Sequence, residues 1–250
     1  MMNPGRSAIG ILGLAALLAG VPAAAEEIRV AVATNFSAAM HALVEHFEAQ
    51  SRHTVLVSFG STGNHYAQIR NGAPFDAFFA ADAERPRLLE EGRVAVAGSR
   101  FLYAVGRLAL WSARAGYVDD GGRVLEAGDF RHLAIANEGL APYGAAAREV
   151  LMARDVWDNV QPRLVRGQDI GQTYSFIATG NAELGFVAFA QIKRPDSKIA
   201  GSYWLVPPTL HQPIEQHAVL LRDTLAARMF LDFVKSEEGR AIIRSYGYGP

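Results

Sequence analysis

Residues 58–64, with the sequence SFGSTGN, form a turn that is rich in hydroxyl groups and glycine. An aliphatic and β-branched run precedes it at residues 55–57, and residues 65–70 can form a helix, so the turn is predicted to join a strand to a helix. Backbone N–H groups point outward from such a helix start, and glycine lets an anion approach them closely. The turn can therefore bind an oxyanion, although an ordinary helix cap explains the same residue types.

Three more turns of this kind occur in the chain, each between a predicted strand and a predicted helix. They lie at residues 34–36 (TNF), 142–144 (PYG) and 169–171 (DIG). Ligands of doubly wound α/β folds bind beyond the carboxyl ends of the strands, where the helices begin. The four turns together could surround one tetrahedral oxyanion with hydroxyl, amide and backbone N–H donors, with little need for a charged partner.

The N-terminal segment has the pattern of a secretory signal peptide. Arg6 is followed by an apolar run at residues 8–19 and by three alanines at residues 23–25. This pattern predicts export and cleavage after Ala25. The apolar run is shorter than the roughly 20 residues that span a bilayer, which argues against an uncleaved anchor.

The composition excludes several classes of function. The chain has 250 residues, of which 50% are hydrophobic and 20% charged, as expected for one or two globular domains. It contains no cysteine, so disulfides, thiolate nucleophiles and a lipid-anchored N-terminal cysteine are excluded. The formal net charge of −1, without a basic patch, argues against nucleic acid as a partner. An exported protein of this kind is expected to be free in the periplasm.

Hydrophobic periodicity predicts two series of alternating strands and helices. The first comprises strands 28–33, 55–57 and 76–80 with helices 38–50, 65–70 and 84–91, and Asn35 or Ser37 is expected to cap helix 38–50. The second comprises strands 107–113, 133–136, 162–165 and 184–189 with helices 145–154 and 170–179. A last strand, 215–221, and helices 225–235 and 238–246 are expected to return to the first unit. The pattern predicts an α/β fold with two mostly parallel sheets flanked by helices and a cleft between them.

Five motifs carry a resemblance to a known family. They are VAVATNF at residues 30–36, FGSTG at 59–63, FDAFFAAD at 75–82, IAN with APYG at 135–144, and GNAELGFV at 180–187. In this order the chain, over residues 26–250, resembles the periplasmic molybdate-binding proteins of ABC uptake systems. The resemblance implies a two-lobed periplasmic-binding-protein fold, with residues 26–108 and 206–250 in lobe 1 and residues 109–205 in lobe 2.

The same resemblance implies a function and its partners. The protein would close on molybdate, and usually tungstate, and would dock on a membrane permease driven by a cytoplasmic ATPase. It would be a monomer without enzymatic activity or cofactor, and molybdenum would be bound as its oxyanion without direct bonds from protein to metal.

The resemblance also implies a set of ligand-binding residues. They are Thr34, Asn35, Ser61, Thr62, Tyr143 and Ile170. Ile170 can act only through its backbone N–H, and whether Ser61 or Thr62 supplies the side-chain contact stays open. Some relatives use a tyrosine hydroxyl at the position that Ala188 holds in this chain, and Tyr143 is expected to replace that contact.

Alternative functions are also compatible with parts of the sequence. Another tetrahedral oxyanion, such as sulfate, phosphate or a phosphonate, could occupy the same turns. An exported hydrolase could use Ser61, but GSTG lacks the G-x-S-x-G spacing of a nucleophile elbow and no histidine and aspartate can be assigned to it. The motif also lacks the G-K-[ST] ending of a P-loop. A sensor that binds the anion without transport would share the site but would need an output domain.

Overall fold

The computed structural model describes residues 25–195 and 197–249, so the predicted signal peptide lies outside the described residues except for Ala25. The strands are β1 (Glu27–Ala33), β2 (Thr54–Gly60), β3 (Ala77–Phe79), β4 (Phe101–Gly106), β5 (Leu108–Ser112), β6 (Leu133–Ala136), β7 (Leu164–Gly167), β8 (Leu184–Ala188), β9 (Ser202–Leu205) and β10 (Ile214–Leu220). The helices are α1 (Ser37–Gln50), α2 (Thr62–Arg70), α3 (Glu84–Glu91), α4 (Val124–Ala127), α5 (Pro142–Ala153), α6 (Trp157–Val160), α7 (Ile170–Ala178), α8 (Phe189–Ile192), α9 (Leu225–Lys235) and α10 (Glu237–Ser245).

The strands form two sheets with the same arrangement. The first has the order β2-β1-β3-β10-β4, and the second has the order β7-β6-β8-β5-β9. In the first sheet β10 is antiparallel to both of its neighbours, whereas β1 pairs in parallel with β2 and β3. In the second sheet β5 takes the antiparallel place, and β6 pairs in parallel with β7 and β8. The predicted α/β fold with two mostly parallel sheets is confirmed.

The chain passes between the sheets at two places. β4 of the first sheet ends at Gly106 and β5 of the second begins at Leu108, so Arg107 alone connects them. The chain returns between Leu205 at the end of β9 and Ile214 at the start of β10. We call the first sheet with α1–α3, α9 and α10 lobe 1, and the second sheet with α4–α8 lobe 2.

Each lobe has a core that holds its helices against its sheet. In lobe 1, α1 buries Met40, Leu43 and Phe47, which recur at helical spacing, and Phe47 packs edge-on against Phe230 of α9. In lobe 2, the strand β6 is buried along its whole length, as is usual for a parallel strand covered on both faces. No helix within residues 25–195 or 197–249 is long and apolar enough to cross a membrane.

Three predicted element boundaries are wrong. Strand β2 continues to Gly60 and α2 already begins at Thr62, so Ser61 alone separates the strand from the helix. Helix α5 begins at Pro142 rather than at residue 145, because proline is favoured in the first helical turn, where its missing N–H costs nothing. The predicted strand at 162–165 is a 3-10 turn, Gln161–Arg163, followed by β7.

Two further features differ from the sequence-based expectation. Neither Asn35 nor Ser37 caps α1 with its side chain, because residues Thr34–Phe36 form a 3-10 turn that leads directly into the helix. Strands β4 and β9 were not predicted. Both are edge strands. β9 is short, with four residues, whereas β4 is the apolar run FLYAVG, which ends one residue before β5 begins.

Candidate anion-binding site

The four turns meet in one small cavity between the lobes. Its walls are formed by Ala33, Thr34, Asn35, Gly60, Ser61, Thr62, Ala81, Ala141, Pro142, Tyr143, Asp169 and Ile170. The six residues that the sequence singled out are all among them. The cavity is small and is enclosed by groups from both lobes.

Strand direction explains why the turns come together. β1 and β2 are parallel neighbours in lobe 1, and β6 and β7 are parallel neighbours in lobe 2. Each of these strands ends at the cavity, and a helix or 3-10 turn begins there. The starts of α2, α5 and α7 therefore direct backbone N–H groups and the positive ends of their dipoles toward one point.

Ser61 and Thr62 each present a buried hydroxyl group. Ser61 is the N-cap of α2, and its Oγ accepts a hydrogen bond from the N–H of Asn64 at 3.3 Å. The Oγ1 of Thr62 accepts a hydrogen bond from the N–H of Ala81 at 3.0 Å. Since a hydroxyl that accepts one bond keeps its own proton to donate, both residues are suited to bind an anion.

Thr34 and Asn35 behave differently from each other. The Oγ1 of Thr34 is buried and has no hydrogen-bond partner, so it is a polar atom that a ligand in the cavity would satisfy. The Nδ2 of Asn35 donates to Gln216 Oε1 at 2.7 Å and to Tyr248 OH at 3.2 Å. Both amide hydrogens of Asn35 are thus engaged inside lobe 1, which leaves its main-chain N–H as the donor for the cavity.

Tyr143 and Ile170 line the lobe 2 side of the cavity. The hydroxyl of Tyr143 accepts a hydrogen bond from Gln216 Nε2 at 3.0 Å, whereas its main-chain N–H lies in the first turn of α5, where a helix provides no acceptor. Ile170 is the first residue of α7, and the N-cap Asp169 accepts from the next two N–H groups, at 2.7 and 2.9 Å. The N–H of Ile170 is therefore left for the cavity.

Ala188, at the place where some relatives have a tyrosine, is fully buried and does not line the cavity. Its N–H donates to Gln191 Oε1 at 3.0 Å, and Gln191 Nε2 donates to the carbonyl of Ile170 at 3.0 Å. Ala188 thus contributes to the support of the α7 turn through Gln191.

The lobes are closed on each other around the cavity. The N–H of Gly63 at the start of α2 donates to the carbonyl of Leu140 in lobe 2 at 2.9 Å. On the same side, Arg85 Nη2 of α3 donates to the carbonyl of Gly139 at 3.1 Å. Because these bonds need the two lobes at their present separation, an occupant of the cavity would be surrounded on both sides.

The cavity is suited to an oxyanion. Asp169 is its one carboxylate, and the Oδ1 of that carboxylate already accepts two helix N–H groups. Burial raises the pKa of Tyr143, so its hydroxyl stays neutral. The remaining polar groups are neutral hydroxyl and N–H donors, which can bind an anion by charge-assisted hydrogen bonds without a cationic side chain.

A buried group behind the cavity was missed by the sequence analysis. Gln216 of β10, with Tyr103 and Tyr248, forms the hydrogen-bond network that holds Asn35 and Tyr143. The signal was present in the strand pattern, since Gln216 occupies an inward-facing position between Ile214 and Ala218, both of which are buried. A glutamine at such a position needs buried partners.

His65 of α2 is a buried side chain beneath the Ser61 turn, and one of its two ring nitrogens is unsatisfied. It is 2% exposed, its Nε2 has no hydrogen-bond partner, and a Cβ added to Gly60 would lie 2.9 Å from that atom. Its ring packs edge-on against Phe75 and Phe78. Burial lowers the pKa of His65, and its hydrogen bond with Gln68 only partly offsets this effect.

This environment predicts a pH dependence of stability. Because the pKa of His65 is lower in the folded than in the unfolded protein, the unfolded state binds the proton first. Folding stability should therefore fall as pH drops below about 6.5, the unfolded value, with a slope of at most ~1.4 kcal/mol per pH unit from this group. Urea unfolding of wild type and His65→Gln at pH 5 to 8 measures the slope. His217, whose pKa is also lowered, is present in both proteins, so its contribution cancels in the difference between them. Equal slopes of stability against pH in wild type and His65→Gln would contradict the prediction.

Comparison with known proteins places the chain in a family. Residues 28–249 match the family described as bacterial extracellular solute-binding protein. The chain is 48% identical to the molybdate-binding protein ModA of Azotobacter vinelandii over 96% of both chains, and 47% identical to ModA of Rhodobacter capsulatus over 95% of this chain and 92% of that protein. The solved structure of the A. vinelandii periplasmic molybdate-binding protein superimposes with a TM-score of 0.87 at 42% identity, over 89% of this chain and 99% of that one. The chain therefore belongs to the family of bacterial extracellular solute-binding proteins.

Proposed function

We propose that the protein is the substrate-binding component of an ABC uptake system for molybdate, and that it also binds tungstate. The observation that carries this proposal is the closed cavity between the lobes, where neutral donors from four turns converge. Similarity to two ModA proteins over nearly the whole chain supports the choice of molybdate. Thr34, Asn35, Ser61, Thr62, Tyr143 and Ile170 are the proposed ligand-binding residues.

In the proposed mechanism, the anion enters while the lobes are apart and first meets the donors of one lobe. Closure then adds the donors of the other lobe and removes the remaining water, which strengthens each hydrogen bond. The closed form would be recognised by a membrane permease with its ATPase, and opening there would release the anion. The protein would work as a monomer in the periplasm after its signal peptide is removed.

We infer a binding role rather than a catalytic one for Ser61. Its Oγ accepts from the helix N–H of Asn64, and within the described residues no histidine ring is hydrogen-bonded to it. A serine nucleophile needs an adjacent general base that removes its proton. The hydroxyl is instead placed to give that proton to an anion as a hydrogen-bond donor.

Isothermal titration calorimetry of the purified protein tests the proposed function. Molybdate and tungstate should each bind with one-to-one stoichiometry, and sulfate should bind at least about 100-fold more weakly because a smaller anion leaves some donors without contact. Phosphate should also bind weakly, since its remaining proton needs an acceptor and the cavity provides mainly donors.

The same titrations distinguish the proposed function from its alternatives. Tight binding of sulfate or phosphate in preference to molybdate would keep a receptor function with another substrate. An absence of binding by all four anions would contradict the proposal.

A further inference from the structure

A single buried side chain connects the two halves of the site. Gln216 is fully buried on β10 of lobe 1. Its Oε1 accepts from Asn35 Nδ2 at 2.7 Å and from the Tyr103 hydroxyl at 2.9 Å, and its Nε2 donates to the Tyr143 hydroxyl at 3.0 Å. Asn35 lies in a cavity turn of lobe 1, whereas Tyr143 lies in a cavity turn of lobe 2. The side chain thus touches a cavity-lining residue of each lobe.

The orientation of the Gln216 amide is determined by its neighbours. Tyr248 donates its hydroxyl proton to the carbonyl of Asn35 at 2.8 Å, and it accepts from Asn35 Nδ2 at 3.2 Å. Both hydrogens of the Asn35 side-chain amide are therefore used inside lobe 1, one by Tyr248 and one by Gln216. The Gln216 atom that accepts this second hydrogen must be the amide oxygen. This leaves the Gln216 nitrogen to face Tyr143, so Tyr143 is the acceptor in the contact between the lobes.

The backbone provides the space for this contact beside the crossover between the lobes. A Cβ added to Gly106, the last residue of β4, would lie 2.3 Å from the Tyr143 hydroxyl and 2.6 Å from Gln216 Nε2. The β4–β10 register shifts between Gln216 and His217, which pair with Ala104 and Leu102, so Tyr103 is skipped. A bulge of this kind redirects side chains, and here Tyr103 contacts Gln216.

From these contacts, we propose that Gln216 and Tyr143 form a latch between the lobes, with Gln216 as a positioning residue for the anion site. Because its two partners belong to different lobes, the contact would break if the lobes moved apart at this place. It stabilises the closed form and at the same time holds the Asn35 amide away from the anion. The proposal rests on the proposed function in that the anion binds between closed lobes.

Substitution of each partner tests the latch. Tyr143→Phe removes the hydroxyl acceptor, and Gln216→Met keeps the side-chain length without its polar atoms. Each should weaken molybdate binding about 5- to 50-fold, since a buried hydrogen bond is lost and a polar partner is left unsatisfied. The double variant should bind no more weakly than the weaker single variant within about twofold, because both changes remove the same contact.

A control separates the latch from a general loss of stability. Ser112 is fully buried in β5, and its Oγ donates to the carbonyl of Glu183 at 2.6 Å, inside lobe 2. Ser112→Ala should lower the melting temperature while the dissociation constant for molybdate stays within about twofold of wild type. Small-angle scattering without ligand gives a second measurement, in which Tyr143→Phe should have a larger radius of gyration than wild type.

The outcomes distinguish failure of the latch from failure of the proposed function. Weaker binding by Tyr143→Phe together with unchanged binding by Gln216→Met would mean that the hydroxyl contacts the anion itself, and it would overturn the latch. Unchanged binding and unchanged radius of gyration in Tyr143→Phe would overturn it as well. If wild type binds no oxyanion, the proposed function fails, and the ligand-free radii alone then decide on the latch.

Discussion

Ser61→Asp should abolish molybdate binding while leaving the fold intact. Aspartate is as good an N-cap as serine, so α2 should keep its first turn. The new carboxylate would stand in the cavity wall, where its repulsion of an anion about 5 Å away at an effective dielectric constant of about 20 is roughly 3 kcal/mol for each pair of unit charges. For a dianion we expect an affinity loss of at least ~1000-fold, measured by calorimetry.

Ser61→Asn is the matched control for this charge. Asparagine has nearly the shape of aspartate and is an equally good cap, but it is neutral. It should weaken molybdate binding by only about 10-fold, with a melting temperature close to that of Ser61→Asp. If Ser61→Asp still bound molybdate within about 10-fold of wild type, Ser61 would not lie against the anion, and the assigned site would be wrong.

Gly144→Ala should strongly destabilise the protein. A Cβ at this position would lie 2.3 Å from the carbonyl oxygen of Ala136 and 2.8 Å from its carbon. The added Cβ is fixed to the backbone of the first turn of α5, and the atoms that it meets are backbone atoms at the end of β6. A rotamer change therefore cannot relieve the clash. We expect the free energy of unfolding to fall by ~3 kcal/mol, measured by urea denaturation. The binding of molybdate should also weaken, because relief of the clash moves Tyr143.

Gly139→Ala is the control for the Gly144 substitution. Gly139 is exposed in the turn that precedes α5, and an added Cβ would meet only Asn137 Oδ1, at 3.5 Å. Its free energy of unfolding should stay within ~0.5 kcal/mol of wild type. A similar loss of stability in both variants would show that the turn is sensitive to any side chain, and it would refute close packing at Gly144 as the cause.

Much of the fold could be predicted from the sequence, because the elements that were found have strong local patterns. The helical spacing of Met40, Leu43 and Phe47 predicted α1, and the apolar run at residues 133–136 predicted β6. Strand β4 was missed although its sequence, FLYAVG, is an apolar run, and β9 has only four residues. The start of α2 was placed three residues too late, because the sequence SFGSTGN is compatible with the end of a strand as well as with a turn. The pairing of Ser58 with Ala31 shows that Ser58 still belongs to strand β2.

The candidate site was predictable to a similar extent. Residue types pointed to the four strand-to-helix turns, and the family resemblance implied Thr34, Asn35, Ser61, Thr62, Tyr143 and Ile170 within them. The structure brings all six residues to one cavity. The role of each atom could not be read in this way. Tyr143 was expected to offer its hydroxyl to the ligand, and the structure adds that this oxygen also accepts a hydrogen bond from Gln216, which is 73 residues away in the chain.

The sequence by itself determined the turns and their chemistry, because helix caps, glycines and hydroxyl groups act over a few residues. Only the tertiary structure decided which atoms face the cavity and which face each other. The chain crosses between the sheets at Arg107 and returns before Ile214, and this path places β10 behind the site of lobe 1. Gln216 can therefore reach both Asn35 and Tyr143. Its inward-facing position on β10 could be read from the strand pattern, but its partners, which are distant in the chain, could not.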